Sequence, residues 1–152
     1  MIPALDAIGL GGIAAVNLIV GTALVESDLR YVKQITGPAV GICQIEPATY
    51  NDLRTRFSLK HGDILEKVLK FLNMSMLPFK PDYLMGNMSA SVIIARIKYY
   101  MHPDPLPSAN DWHALSAYHK KIYNTPLGAT DITVSQKIFR SVVNGYVHHK
   151  TL

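Results

Sequence analysis

The chain contains only one cysteine, Cys43, among its 152 residues. A single cysteine excludes an intramolecular disulfide, so the fold depends on its apolar core and the redox compartment is left open. Charged residues are also few, at 17% of the chain. The net charge of +4 favours contact with polyanions, but the basic residues are scattered and lack interleaved aromatic residues, so we expect no nucleic-acid binding.

Signatures of several enzyme classes and of β-structure are missing from the sequence. None of the 6 histidines has the spacing of a zinc-binding His-Glu-x-x-His helix, and there is no glycine-rich phosphate loop. We therefore expect neither a metal nor another cofactor. Alternating runs of Val, Ile and Thr between hairpin turns are also missing. The fold expected is all-α, with six or seven helices forming one domain over residues 1–152.

The longest apolar stretch runs from Ile8 to Val25. It contains Asn17 and four glycines, and it follows Asp6 without any preceding Lys or Arg, which argues against a conventional signal peptide and a membrane span. Its apolar residues lie on almost every side of a helix, as expected for a central helix enclosed by others. A membrane-active helix over the same residues is an alternative.

Proline, glycine and capping residues divide the rest of the chain. Residues 27–43 lose helical periodicity and contain two glycines and a proline, which is typical of an ordered loop that lines a site. A connector is predicted over Leu77–Tyr83. Five further helices are predicted: Pro47 to about Phe57, His61–Met74, Ser89–Met101, one capped by Asp111 or Asn110, and one capped by Asp131.

The most informative motif begins at the end of the central helix. Glu26 and Ser27 are followed by the run PAVGICQIEPAT over residues 38–49. This pattern resembles the lytic transglycosylase and goose-type lysozyme superfamily, in which a Glu-Ser pair precedes a Gly-Ala-x-Gly-Leu-Met-Gln-x-x-Pro-x-Thr run. Gly41 lies 15 positions after Glu26, as the second glycine of the family run does after its glutamate.

A second motif supports the same resemblance. The run ALSAYH over residues 114–119 is similar to the family's Ala-Leu-Ala-Ala-Tyr-Asn motif, and Tyr123-Asn124-Thr125 is similar to phage versions of the domain. The resemblance extends over roughly residues 12–125. Three residues depart from the pattern: Pro38 replaces a glycine, Cys43 a methionine and His119 an asparagine.

The resemblance implies a single lysozyme-like helical domain with a substrate cleft, and it assigns roles within that cleft. Glu26 is the implied catalytic acid. The implied substrate-binding residues are Ser27, Gly41, Gln44, Tyr118, Tyr123 and Asn124. Several of these also have a purely structural interpretation, as a helix-ending serine, a glycine with positive φ, a glutamine paired with the loop backbone or a core tyrosine. Cys43 is expected to be buried and unreactive.

The chemistry of Glu26 can also be argued without the resemblance. Glycoside cleavage needs a proton on the leaving oxygen, so the acid must stay protonated near neutral pH. Glu26 follows Leu24 and Val25 at a helix C-terminus, where apolar surroundings and the negative end of the helix dipole both disfavour a carboxylate.

A second carboxyl group, which most glycosidases use, is not evident. Asp28 and Glu46 are predicted to face solvent, and Asp52 to lie one helical turn beyond Thr49. In the resembled lytic transglycosylases a single glutamate protonates the leaving oxygen and then activates the muramic C6 hydroxyl, giving a 1,6-anhydro product. This favours transglycosylase over hydrolase chemistry and leaves hydrolysis as an alternative.

The predicted function is cleavage of the MurNAc–GlcNAc β-1,4 bond of peptidoglycan glycan strands. The resemblance implies a phage-derived enzyme that degrades the host wall during infection or lysis. It would act in a phage virion or tail, with tail or virion proteins as further partners, or be delivered to the bacterial periplasm and wall. The alternative is a catalytically weakened structural module of a phage tail or virion, which Pro38 and His119 favour and the joint presence of Glu26, Ser27 and Gln44 opposes.

Overall fold

Helices dominate the computed structural model, which describes residues 1–123 and 131–148. This part of the chain contains seven α-helices and one 3-10 helix, and no β-strand is assigned within it. The all-α prediction is therefore confirmed. The α-helices are α1 (Ile2–Ala7), α2 (Ile13–Ser27), α3 (Pro47–Lys60), α4 (Gly62–Leu72), α5 (Met88–Tyr100), α6 (Trp112–Ile122) and α7 (Ile132–His148), and the 3-10 helix spans Pro81–Met85.

The helix α2 lies at the centre of the fold. It contacts α1, α5, α6 and α7, and nine of its 15 residues are buried. Gly21 allows α7 to approach closely, because a Cβ atom at this position would lie 2.4 Å from Cε1 of Phe139. The prediction of an enclosed helix is confirmed, and no helix among the described residues is both long and apolar enough to cross a membrane.

The apolar stretch Ile8–Val25 does not form one continuous helix. Gly9 and Gly12 have φ angles of 75° and 96°, which residues with a side chain rarely adopt, and α2 begins only at Ile13. A short helix, α1, precedes this break and was not predicted. It packs against α4 and α5, so its stability comes from tertiary contacts rather than from its own length.

Most predicted helix starts agree with the observed ones. Pro47 occupies the first turn of α3, although α3 continues to Lys60, beyond its predicted end. The Asp111 carboxylate accepts a hydrogen bond from the Ala114 N–H at 2.9 Å and caps α6. The Asp131 carboxylate accepts one from the Thr133 N–H at 2.8 Å at the start of α7.

The segment between α2 and α3 folds back on itself without forming a sheet. Val40 makes isolated β-bridges to Lys33 and to Ile45. A tight turn joins Gly41 to Gln44, whose N–H donates to the Gly41 carbonyl at 2.9 Å. This turn lies next to the end of α2, so the predicted loop does lie beside Glu26.

Candidate active site

Glu26 lies in the last turn of α2 and pairs with a histidine from α6. Its Oε1 atom is 3.1 Å from Nε2 of His119. The His119 side chain is completely buried, whereas 19% of the Glu26 side chain is exposed. Glu26 is therefore a carboxyl group at the edge of the core, with one oxygen held from inside the protein.

A column of stacked rings supports the histidine. The His119 ring stacks on Tyr123 at 5.5 Å between centroids, and Tyr123 stacks on Tyr99 at the same distance. The Tyr99 hydroxyl lies 2.7 Å from Oγ1 of Thr22 in α2. On its other side His119 packs against Phe139 of α7 at 5.6 Å. The histidine ring is therefore held between Tyr123, which directly follows α6, and Phe139 of α7, while Tyr99 of α5 packs behind Tyr123.

The tyrosines of this column are kept neutral by their surroundings. Burial raises the pKa of Tyr99 and of Tyr123 well above the usual value of 10.0. The Tyr123 hydroxyl donates a hydrogen bond to the Cys43 carbonyl at 2.7 Å. This bond connects α6 to the turn beside Glu26.

Lys98 of α5 brings a positive charge to the same region. Its ammonium group lies 3.7 Å from the centre of the Tyr123 ring, a cation–π contact. Burial lowers the pKa of Lys98, while the carboxylates of Glu26 and Glu46 favour its charged form. Lys98 is therefore a partly buried cation that acts electrostatically on Glu26.

An open groove of about 360 Å³ lies beside Lys98, between α3 and the end of α5. Polar and apolar side chains contribute about equally to its walls, and the ion pair between Asp52 and Arg56 lies along one of them. Such a mixture of polar and apolar walls suits a ligand that carries hydroxyl and amide groups. The lining residues are Thr49, Asp52, Leu53, Arg56, Lys98, Met101, His102, Pro103 and Ile122.

Ser27 and Gly41 lie close to Glu26 but are engaged within the fold. The Ser27 side chain is buried, and its hydroxyl contacts the Ala23 carbonyl at 3.0 Å and the Ile42 carbonyl at 2.6 Å. Gly41 has φ 77°, and a Cβ atom there would lie 2.4 Å from Oγ of Ser91. In this arrangement Ser27 ties the turn to α2, and Gly41 permits the turn to pack on α5.

The side chain of Gln44 is bound to its own loop. Its amide donates to the Gly41 carbonyl at 2.8 Å and to the Tyr31 carbonyl at 3.1 Å. Gln44 itself adopts φ 47°, a left-handed conformation in which this local bonding assists. Both hydrogen bonds come from the amide nitrogen, so a ligand could bind Gln44 through its amide oxygen.

Tyr118 lies one residue before His119 and points elsewhere. Its hydroxyl donates to the Asp104 carbonyl at 3.0 Å, with a longer contact of 3.4 Å to the Tyr99 carbonyl. The residue that contacts Glu26 is His119, which occupies the position of the resembled family's asparagine. Asn124, the last of the predicted substrate-binding residues, lies outside the described residues.

Cys43 is buried in the turn, as predicted. Burial raises the pKa of its thiol from 9.0 to about 12, so the reactive thiolate is scarce near neutral pH. The predictions that Asp28 and Glu46 face solvent are confirmed, and Asp28 pairs with Arg30 at 3.0 Å. Within residues 1–123 and 131–148, no group of three or more potential ligands could hold a metal ion.

Two important residues of this region were not predicted as site residues. In the sequence, His119 is notable as a departure from a motif and as a histidine without metal-ligand spacing, and Lys98 is one residue of a predicted helix. Nothing in the sequence joins His119 to Glu26, because 93 positions separate them and only the packing of α6 on α2 brings them together. An unusual residue inside an otherwise matching motif was the available signal.

Comparisons with known proteins give no independent identification. No protein-family model matches the chain, and neither the curated proteins nor the solved structures that were searched gave a match. The described residues therefore define an all-α protein with a partly exposed glutamate, a buried histidine partner and a groove of mixed polarity that Lys98, but not Glu26, lines.

Proposed function

We propose that this chain cleaves the MurNAc–GlcNAc β-1,4 bond of peptidoglycan, with Glu26 as general acid and base. The main support is the environment of Glu26, a carboxyl at the end of a buried helix that is 19% exposed and held through one oxygen by His119. An acid that donates a proton to a substrate needs both partial burial and access. The motif run from residue 38 to residue 49 adds the resemblance to wall-cleaving enzymes.

The groove between α3 and α5 is the proposed substrate cleft. Glycan strands present hydroxyl, acetamido and carboxylate groups, which the polar side chains of Thr49, Arg56 and Lys98 can bind. Lys98 has no ion pair with a carboxylate among the described residues, so its charge suits a substrate that carries negative charge. The lysozyme-like class of domain is part of this proposal.

The proposed reaction begins with transfer of the Glu26 proton to the glycosidic oxygen as the C1–O bond breaks. In the transglycosylase form, the resulting carboxylate removes the proton of the muramic C6 hydroxyl, whose oxygen attacks the anomeric carbon. The products are a 1,6-anhydromuramoyl end and a strand with a free 4-hydroxyl group. In a hydrolase water attacks instead. Asp52, the one carboxylate among the described residues that line the groove, is paired with Arg56, which favours the transglycosylase over a hydrolase that would use it as a second base.

The setting proposed is the bacterial wall, reached from a phage virion or tail or through a lysis system. Peptidoglycan strands are the proposed partner, and no nucleic-acid or membrane partner is proposed. A catalytically weakened virion module would have the same fold but release no products, so an activity measurement separates the two.

The test is digestion of purified peptidoglycan in ¹⁸O-labelled water, followed by mass spectrometry of the soluble fragments. Glu26→Gln is compared with wild type, and Glu66→Gln on the exposed face of α4 is the matched control. The proposal predicts unlabelled 1,6-anhydro ends from the wild type and the control and at least 100-fold fewer, about the smallest loss expected on removal of a general acid, from Glu26→Gln. Labelled reducing ends would make the protein a hydrolase. Equal release by Glu26→Gln, or no release by the wild type, would overturn the proposal.

A further inference from the structure

His119 is the direct partner of the proposed acid, and the second nitrogen of its ring has no hydrogen-bond partner among the described residues. Nε2 lies 3.1 Å from Oε1 of Glu26. Nδ1 is buried and has no hydrogen-bond partner among the described residues. Among the described residues, the hydrogen-bonding contact of His119 is to Glu26, which is the one carboxyl group of α2 and is partly exposed. A histidine that only filled the core would not need this contact.

The unpartnered nitrogen restricts where the ring carries its proton. If only Nδ1 carried the proton, a buried N–H would lack an acceptor and Nε2 would face the Glu26 carboxylate with a lone pair, so both ring nitrogens would be unsatisfied. If only Nε2 carries the proton, it makes a complete hydrogen bond to Oε1, and Nδ1 is a bare nitrogen among aromatic rings. The neutral ring protonated at Nε2 therefore fits this environment best.

This arrangement also decides which oxygen of Glu26 can carry the acid proton. Because Oε1 accepts from Nε2–H, a proton that binds to the carboxyl goes to Oε2. The hydrogen bond to Oε1 is kept whether Oε2 is protonated or not, so the carboxyl keeps its orientation when it gives up and regains a proton.

We propose that His119 is a positioning residue for Glu26, donating Nε2–H to Oε1 so that the exchangeable proton is confined to Oε2. This inference rests on the proposed glycan-cleaving function and adds a residue to it. Stacking of the ring on Tyr123 and its tilted contact with Phe139 keep the donor in place. No proton leaves His119 during the reaction. The only proton that moves is the one exchanged between Oε2 of Glu26 and a substrate oxygen.

Other titratable groups surround the pair and have to stay constant in the test. Lys98 of α5 acts electrostatically on Glu26, as do Tyr99 and Cys43, whose pKa values burial raises. Tyr123 lies against the histidine ring itself. α7 contributes Phe139, which does not titrate. The informative changes are therefore those at His119 alone.

Two substitutions separate the hydrogen bond from the packing. His119→Phe keeps an aromatic ring in the stack and removes the donor, whereas His119→Gln restores an N–H near the position of Nε2. His113→Gln, on an exposed part of α6, is the matched control. Steady-state kinetics on soluble glycan strands give kcat and KM for each protein, together with the pH dependence of kcat.

The expected result is a fall in kcat of about 10- to 100-fold for His119→Phe, since a misplaced catalytic group loses about this much. KM should stay within about twofold, and His119→Gln should recover most of the rate. The pH profile of kcat should shift in His119→Phe and not in the control. Equal kcat values for His119→Phe and wild type, or equal losses in the Phe and Gln variants, would overturn the role of His119.

A measurement that does not depend on activity completes the test. In ¹⁵N-histidine-labelled protein, the His119 signals are identified by their loss in His119→Phe. The proposal predicts the tautomer protonated at Nε2, with Nε2 signals that change in Glu26→Gln. An Nδ1–H tautomer would contradict the proposal. Wild type that releases no product would overturn the proposed function itself, whereas active wild type with an equally active Phe variant would overturn only the inference about His119.

Discussion

Raising the pH from 8 to 10 should weaken the fold of the wild-type chain more than that of a Cys43→Ala variant. The Cys43 thiol is fully buried, and burial raises its pKa from 9.0 to about 12. The stability that this thiol contributes is complete below pH 9 and is lost as the pH rises towards 12, because only the unfolded chain ionises easily in that range.

The size of the effect follows from the two pKa values. A difference of three units corresponds to about 4 kcal/mol when the thiol is fully ionised in both states. Between pH 8 and pH 10 only the unfolded chain ionises to a large extent, and the free energy of unfolding falls by about 1.4 kcal/mol from this group. Cys43→Ala loses that dependence, although the smaller side chain lowers its stability at every pH.

The assay is urea unfolding, followed by circular dichroism at pH 8, 9 and 10. Burial is the main cause of the raised pKa of Tyr99 and of Tyr123 and is common to both proteins, so most of the stability that these tyrosines contribute is common to both and drops out of the comparison. The wild type should lose about 1.4 kcal/mol more than Cys43→Ala over this range. Parallel losses in the two proteins would refute the assignment of a desolvated thiol in the turn beside Glu26.

Two further predictions concern packing and charge. Gly21→Ala should destabilise the protein by about 1–3 kcal/mol, because its Cβ would meet the Phe139 ring, and a second substitution, Phe139→Leu, should recover part of the loss. Urea midpoints measure this, and an unchanged midpoint would contradict it. Burial lowers the pKa of Lys98, so its charged form is disfavoured in the fold at neutral pH and this penalty disappears as the pH approaches 10.5. The free energy of unfolding of Lys98→Met should therefore exceed that of the wild type most at pH 7 and least near pH 10. A difference between the two proteins that grows as the pH rises would contradict the prediction.

Local sequence signals predicted most of the helices. Pro47, Asp111 and Asp131 act through their own backbone or side chain within one helical turn, so their effect is visible in the sequence and agrees with the structure. The short helix α1 was missed because six residues carry little helical signal of their own. Its position depends on contacts with α4 and α5, which sequence periodicity does not contain.

The candidate site was predictable only in part, for the same physical reason. The position of Glu26 at the end of a buried helix and the turn at Gly41 follow from local pattern and backbone preference. The contact with His119 and the approach of Lys98 depend on how α5 and α6 pack around α2, which the sequence pattern does not contain. The hydroxyl of Ser27 and the amide of Gln44 bond to nearby carbonyls, a geometry that residue type alone leaves open.

The most direct test of the central claim is the initial rate of glycan-strand cleavage by wild type, Glu26→Gln and the exposed control Glu66→Gln. Thermal unfolding of the three proteins shows first that all of them are folded to the same extent. Removing a general acid should lower the rate by about 10²- to 10⁴-fold in Glu26→Gln. The Glu66→Gln rate should equal that of the wild type. A Glu26→Gln protein that folds normally and cleaves at the wild-type rate would show that Glu26 is not the acid.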